Sequence, residues 1–129
     1  MVKPGDTFYD ASGIIDGHLW VVISDPSAYP DDKVLIVNLT SWKSDRDQSC
    51  TLEAGEHPFI KHKTCVNYRE SRLVDTADLD RAVQRGSLKK REQISPALLD
   101  RIRKGAARSE FIPLRNHQLL LQQGLIESD

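Results

Sequence analysis

Apolar and polar positions divide the chain into two regimes. From Thr7 to about Leu73 the apolar residues fall in short runs, rich in β-branched and aromatic types and bounded by Gly, Pro, Asp and Ser. That is the pattern of strands separated by polar turns. Lys3-Pro4-Gly5-Asp6 reads as a turn feeding a strand through Thr7, Phe8 and Tyr9. Asp16-Gly17 stands directly before His18-Leu19-Trp20-Val21-Val22-Ile23-Ser24, a hairpin signal, and Asp25-Pro26 ends that run. After a polar connection from Ser27 to Asp32, Lys33 to Leu39 is apolar for most of its length, which predicts a central strand covered on both faces. Thr40-Ser41-Trp42 closes it, and Lys43 to Ser49 forms a charged loop. Cys50-Thr51-Leu52 and Lys63 to Tyr68 are further strands. Between them His57-Pro58-Phe59-Ile60 suits only an edge or an irregular segment, because Pro58 cannot donate to a ladder. Five or six short strands predict a mainly β fold, a small antiparallel barrel or a strongly curled sheet.

Beyond Leu73-Val74 the period lengthens. Asp75 or Thr76 caps a helix carrying Leu79, Ala82 and Val83 on one side, with Gly86 past its end. Gly86 to Lys90 reads as a basic joint. Ser95-Pro96 is a cap and first-turn pair, followed at helical spacing by Leu98, Leu99, Ile102 and Ala106. A third helix runs from about Pro113 to Gln123 and stops at Gly124. Amphipathic helices of this length gain stability from a surface to cover, so they are expected to pack back on the sheet. The expectation is one domain, with a barrel part at about 3–75 and a helical extension at about 76–124.

Totals narrow the functional classes. A chain of 129 residues is long enough to close one core. The longest apolar runs are four or five residues, far short of the roughly 20 needed for a membrane-spanning helix. The N-terminal residues lack the apolar stretch of a secretory signal, so a cytoplasmic location is expected. Cys50 and Cys65 then read as two reduced thiols on or near strands. The net charge of -1 conceals an asymmetry: residues 1–60 carry four Lys or Arg against ten Asp or Glu, and residues 61–129 carry fourteen against nine. A basic second half can present a positive face to phosphate.

The chain has no Gly-rich phosphate loop, Cys-x-x-Cys pair or His-Glu-x-x-His motif. A zinc set of His57, His62 and Cys65 can be drawn, but the spacing matches no closed site and a fourth ligand is missing; no metal or other cofactor is expected. Candidate chemistry lies instead in imidazole, hydroxyl and cationic groups. Thr40 and Ser41 end the buried strand, where they either face a cleft or bond the turn backbone. His18 begins a strand. His57, Lys61, His62 and Lys63 form a compact basic segment, with Tyr68, Arg69 and Arg72 shortly after. Histidine moves protons near neutrality and Lys or Arg meets phosphate charge, which are the roles that RNA cleavage without metal requires. Trp20, Trp42, Phe59 or Tyr68 can stack a base or serve as core; Trp20, inside an apolar run, reads as core, whereas Trp42 borders a polar loop.

Pro4-Gly5-Asp6, Trp20-Val21-Val22-Ile23-Ser24, Val37-Asn38-Leu39-Thr40-Ser41, and the stretch from Cys65 to Leu73 with Arg69 and Arg72 occur in the order seen in toxins of the MazF/PemK/Kid type, which the chain resembles over roughly residues 3–75. The resemblance implies an SH3-like barrel that dimerises, cleaves single-stranded RNA without a metal, and is blocked by a small antitoxin protein. It maps the family's opening Gly-Asp pair to Gly5 and Asp6, its Arg-Pro pair to His18 and Leu19, and its catalytic Thr or Ser to Thr40 or Ser41. Imidazole at position 18 replaces the fixed fork and permanent charge of arginine. The expected catalytic set is therefore His18, Thr40, Ser41, His57 and His62, with Trp42, Lys61, Lys63, Tyr68, Arg69 and Arg72 binding substrate. Two other accounts compete. One is a non-catalytic barrel that binds a protein target such as a topoisomerase. The other is a DNA-binding regulator using Arg85, Lys89, Lys90 and Arg91 with the helix bearing Arg101, Arg103, Lys104 and Arg108.

Overall fold

The alternating apolar positions of the first half are gathered into one antiparallel sheet. The computed structural model describes residues 1–10 and 17–127, so Asp16 of the expected hairpin turn lies outside the described residues. In chain order the elements are β1 (Thr7–Asp10), β2 (Leu19–Val22), β3 (Lys33–Ser41), β4 (Thr51–Leu52), β5 (Thr64–Asp75), α1 (Thr76–Arg85), β6 (Leu88–Arg91), α2 (Pro96–Arg108) and α3 (Leu114–Gln122). The strands lie in the order β4-β5-β3-β2-β1-β6.

The sheet is open, which corrects the expected SH3-like barrel. Closure requires the first and last strands to pair, but β4 and β6 stand at opposite edges with four strands between them. β4 offers only two residues, paired to β5, and β6 follows a helix that carries the chain to the far side of β1. Helices on the two faces bury the apolar side chains in place of closure. On one face Leu19, Val21, Leu35, Val37 and Leu39 form a core with Ile102 and Ala106 of α2 and Leu119 and Leu120 of α3. On the other, Phe8, Val22, Val34 and Ile36 pack with Val2 and with Leu79 of α1. The alternation along β3 thus serves two cores, as its continuous apolar character predicts.

β6 occupies the segment read as a basic joint. Lys89, Lys90 and Arg91 are exposed and carry no apolar alternation; the strand exists through its pairing with β1, where Tyr9 faces Lys89 and Thr7 faces Arg91. Asp6 fixes this edge. It is 2% exposed, and its carboxylate accepts from the Lys3 N–H at 3.0 Å and the Gln93 side-chain amide at 3.1 Å, with Lys90 Nζ at 3.6 Å.

Helix ends follow local chemistry. Ser95 Oγ accepts from the Leu98 N–H at 3.1 Å, with Pro96 opening α2. Gly86 closes α1 at φ 82°, a left-handed conformation that suits glycine. Asp75 is the N-cap residue of α1, as expected, but its side chain makes no cap hydrogen bond; its carboxylate instead accepts from Lys33 Nζ at 2.7 Å. α3 is anchored to β5 by Asn116 Nδ2, which donates to Ser71 Oγ at 2.9 Å.

The β3–β5 ladder contains the irregularity that shapes the site. Ile36 faces Arg72 and Asn38 faces Asn67, so the single residue Val37 is opposed by Tyr68, Arg69, Glu70 and Ser71. Such a bulge re-aims side chains. Tyr68 and Ser71 are buried whereas Arg69 and Glu70 are exposed.

Candidate functional site

α1 covers only one end of its sheet face. The other end carries His18, leading into β2, Thr40 of β3, and Cys65 and Asn67 of β5. The register that pairs Thr40 with Cys65 and Asn38 with Asn67 puts these side chains on one face, because side chains alternate along a strand. Two cavities open there. One, about 650 Å³, is lined by His18, Thr40, Ser41, Arg46, Lys61 and His62 among others. Its neighbour, about 440 Å³, is lined by His18, Thr40, Arg46, Arg69, Glu70 and Phe111 among others. His18, Thr40 and Arg46 belong to both and so sit at their junction.

Hydrogen bonds order this junction. His18 Nδ1 lies 3.1 Å from the Leu39 carbonyl oxygen; a carbonyl only accepts, so Nδ1 carries a hydrogen and Nε2 is left to exchange protons. Arg46 Nη1 donates a short bond to Thr40 Oγ1 and another, 3.1 Å, to the Ser41 carbonyl. Both use one nitrogen of the guanidinium, whose other N–H groups remain for an anion. Ser41 Oγ and His62 Nε2 are 2.8 Å apart. Beneath them, burial pushes the Cys65 thiol above the usual cysteine range; Cys50 and Cys65 are both free and buried.

The structure therefore brings together His18, Thr40, Ser41, Lys61 and His62, with Arg69 on the neighbouring cavity. It places the remaining candidates elsewhere. His57 is 3% exposed. Its Nδ1 accepts from the Phe59 N–H at 3.0 Å and its Nε2 lies 2.6 Å from the Glu92 carbonyl oxygen, so both nitrogens are spent on the backbone. Tyr68 is fully buried and donates to the Ile102 carbonyl at 2.6 Å; burial lifts its phenol far above the usual tyrosine range. Arg72 lies over the half-buried Trp20 ring at 5.3 Å, beside the α1 core. Lys63 lies over Trp42 at 4.6 Å, and Trp42 Nε1 donates to Gln48 Oε1 at 2.6 Å; neither residue lines the two cavities.

Arg46, Asn67, Glu70 and Phe111 were not identified from the sequence. Arg46 comes from a charged loop in which no position is marked by pattern, and Phe111 from the connection between α2 and α3. Among the described residues no three His, Cys, Asp or Glu gather into a metal-ligand group, and no helix is long and apolar enough to cross a membrane. Three of the four basic residues of α2, Arg101, Arg103 and Arg108, bond to other parts of the fold. Arg101 pairs with Glu56 and donates to the Thr51 carbonyl, holding the Glu56 carboxyl below the usual glutamate range. Arg103 Nε donates to the Ile23 carbonyl, Lys104 pairs with Asp100 and Arg108 donates to the Ser49 carbonyl.

No protein-family model matches the sequence, and no curated protein matches it. Among solved structures the chain is similar to a mycobacterial endoribonuclease in complex with its cognate antitoxin, with a TM-score of 0.55 and 16% identity over 88% of this chain and 98% of that one. At that identity the likeness is one of fold.

Proposed function

We propose that this protein is a metal-independent endoribonuclease of the toxin type, which cleaves single-stranded RNA and whose cleft is the surface that an antitoxin protein covers. The observation that carries the reading is the meeting of His18, Thr40 and Arg46 where two cavities join. Fold likeness to an endoribonuclease bound to its antitoxin supports it.

The chemistry follows from what each group can do. RNA supplies its own nucleophile, the 2′-hydroxyl. His18 takes the 2′-hydroxyl proton at Nε2 while O2′ forms its bond to phosphorus. Arg46, held beside Thr40, binds the non-bridging oxygens as their charge grows. The bond from phosphorus to O5′ breaks, and the leaving oxygen takes a proton from His62, which Ser41 orients. The products are a 2′,3′-cyclic phosphate and a 5′-hydroxyl. Arginine's permanent charge and planar fork, absent from position 18, are thus supplied by position 46.

The test is incubation of the pure protein with single-stranded RNA in excess chelator, beside DNA of the same sequence. Expected is a 2′,3′-cyclic phosphate from RNA alone, since DNA lacks the nucleophile, and its loss in His18→Ala and Thr40→Ala. Absence of cleavage over varied sequences, or equal cleavage by those variants, overturns the reading.

A further inference from the structure

The two cavities that meet at Arg46 differ in charge. The larger is lined by Lys43, Arg46, Lys61 and His62, with no carboxylate among the described residues, which suits a phosphate chain. The smaller is lined by three carboxylates, Asp45, Asp47 and Glu70, against two guanidinium groups, Arg46 and Arg69, with Phe111 beside them. The carboxylates outnumber the cations here, so this cavity suits a base better than a phosphate, which the neighbouring basic cavity is built to take. Asp47 is already spent: one oxygen accepts from the Ser49 N–H and hydroxyl, the other from Ser109 Oγ. Glu70 is different. The bulge in β5 carries it outward, and Asn38 Nδ2 pins its Oε2 at 3.0 Å, leaving Oε1 directed by a fixed partner. Asn38 itself is fully buried, and its Oδ1 has no hydrogen-bond partner among the described residues. Asn38 lines neither cavity, so its part in the subsite is to hold Glu70 from beneath the surface. In the same cavity as Glu70, the Arg69 guanidinium lies 4.8 Å from the centre of the half-exposed Phe111 ring, the kind of flat surface on which an unstacked base rests.

We infer that this cavity is a base-reading subsite selective for guanine next to the scissile phosphate, with Glu70 as the reading group and Arg69 and Phe111 as the stacking surface. Guanine's Watson–Crick edge presents two adjacent donors, N1–H and the N2 amino group, which one carboxylate accepts together. Adenine and cytosine present an amino donor beside an acceptor, and uracil presents one donor between two acceptors, so each sets at least one lone pair against the carboxylate. The inference rests on the ribonuclease reading for its substrate, but it is read out by binding, which needs no cleavage.

The experiment measures Kd by fluorescence anisotropy for oligouridylates carrying one central guanosine, inosine or adenosine, with 2′-deoxy sugars throughout to prevent cleavage. The wild-type chain is expected to bind the guanine oligomer about tenfold to a hundredfold more tightly than the adenine one. Inosine, lacking the N2 amino group, falls between them. Glu70→Gln, which sets an amide N–H against a guanine donor, is expected to bring the guanine-to-adenine ratio close to one; a ratio is insensitive to the general gain in affinity from removing a negative charge. Phe111→Ala is expected to weaken all three oligomers together. Equal affinities for guanine and adenine in the wild type, or an unchanged ratio in Glu70→Gln, overturns the inference. Guanine selectivity without RNA cleavage leaves this subsite standing and removes the ribonuclease, cleavage without base selectivity does the reverse, and no binding and no cleavage removes both.

Discussion

In the proposed reaction Arg46 and His18 would divide between them two tasks that a single group does not perform well, a permanent positive charge and a reversible proton. The guanidinium is fixed by Thr40 Oγ1 and the Ser41 carbonyl, so its geometry is set before substrate arrives, and preorganisation of this kind is where electrostatic catalysis gains most. Arg46→Ala is expected to lower kcat/KM by about a hundredfold to a thousandfold, with partial recovery on adding free guanidinium ion. Arg46→Lys is expected to restore only part of the rate, because an ammonium is a point charge without the fork. Single-turnover cleavage beside a thermal melt of each variant checks this, and an Arg46→Ala protein with wild-type kcat/KM and Tm would remove the residue from the chemistry. Thr40, Ser41, His18 and His62 were legible as candidates because each stands at a strand boundary or within a dense basic segment. Arg46 was not, since nothing local distinguishes it from its loop neighbours and its meaning comes from where the loop folds. His57 shows the opposite limit: its residue type suggested chemistry, but its two backbone partners, Phe59 and Glu92, are brought to it only by the fold.

At the scale of elements, α2 approaches β5 through a glycine. A Cβ at Gly105 would overlap the Tyr68 hydroxyl and lie 2.7 Å from the Cys50 Cβ, so the absence of a side chain lets Tyr68 reach the Ile102 carbonyl. Two effects oppose each other in Gly105→Ala. Alanine gains roughly 0.5–1 kcal/mol of helix propensity, but overpacking a filled core costs about 1–3 kcal/mol, and the second is expected to win. Tyr68→Phe removes the oxygen that clashes. In that background Gly105→Ala is therefore expected to cost at least about 0.5 kcal/mol less, the coupling of residues in contact, measured by urea unfolding of the four proteins in the cycle. Strictly additive effects would mean that the close approach of these two groups has no energetic consequence. The sequence made α2 legible through Ser95-Pro96 and the spacing of Leu98, Ile102 and Ala106, and β3 through its unbroken apolar run. It left β6 unread, because Leu88 to Arg91 has no alternation of its own and becomes a strand only beside β1. The open sheet was equally hidden: whether the outermost strands meet depends on long-range pairing, which no local pattern records.

For the whole molecule, the asymmetry between the two sheet faces governs stability and leaves room for the proposed site. One face must be covered along its length, while the other can be left partly open because polar residues such as His18, Thr40 and Asn67 replace apolar ones where α1 ends. Removal of residues 113–129 would test this division. The truncation takes away Leu119, Leu120 and Ile126, each less than a tenth exposed in the main core, and the Asn116 bonds to Ser71. Loss of one such buried Leu side chain costs about 2–5 kcal/mol, against a total stability of about 5–15 kcal/mol for an ordinary domain. Three core residues and a buried polar anchor together are therefore expected to abolish cooperative unfolding, read as a missing thermal transition by circular dichroism and binding of a hydrophobic dye. Under the proposed function, RNA affinity disappears with the fold. A truncated chain that still melts cooperatively would show instead that the sheet and α2 form a core of their own, with α3 an appended element free to serve as a partner surface. In that case weakened antitoxin binding with unchanged RNA cleavage becomes the expected consequence of its removal.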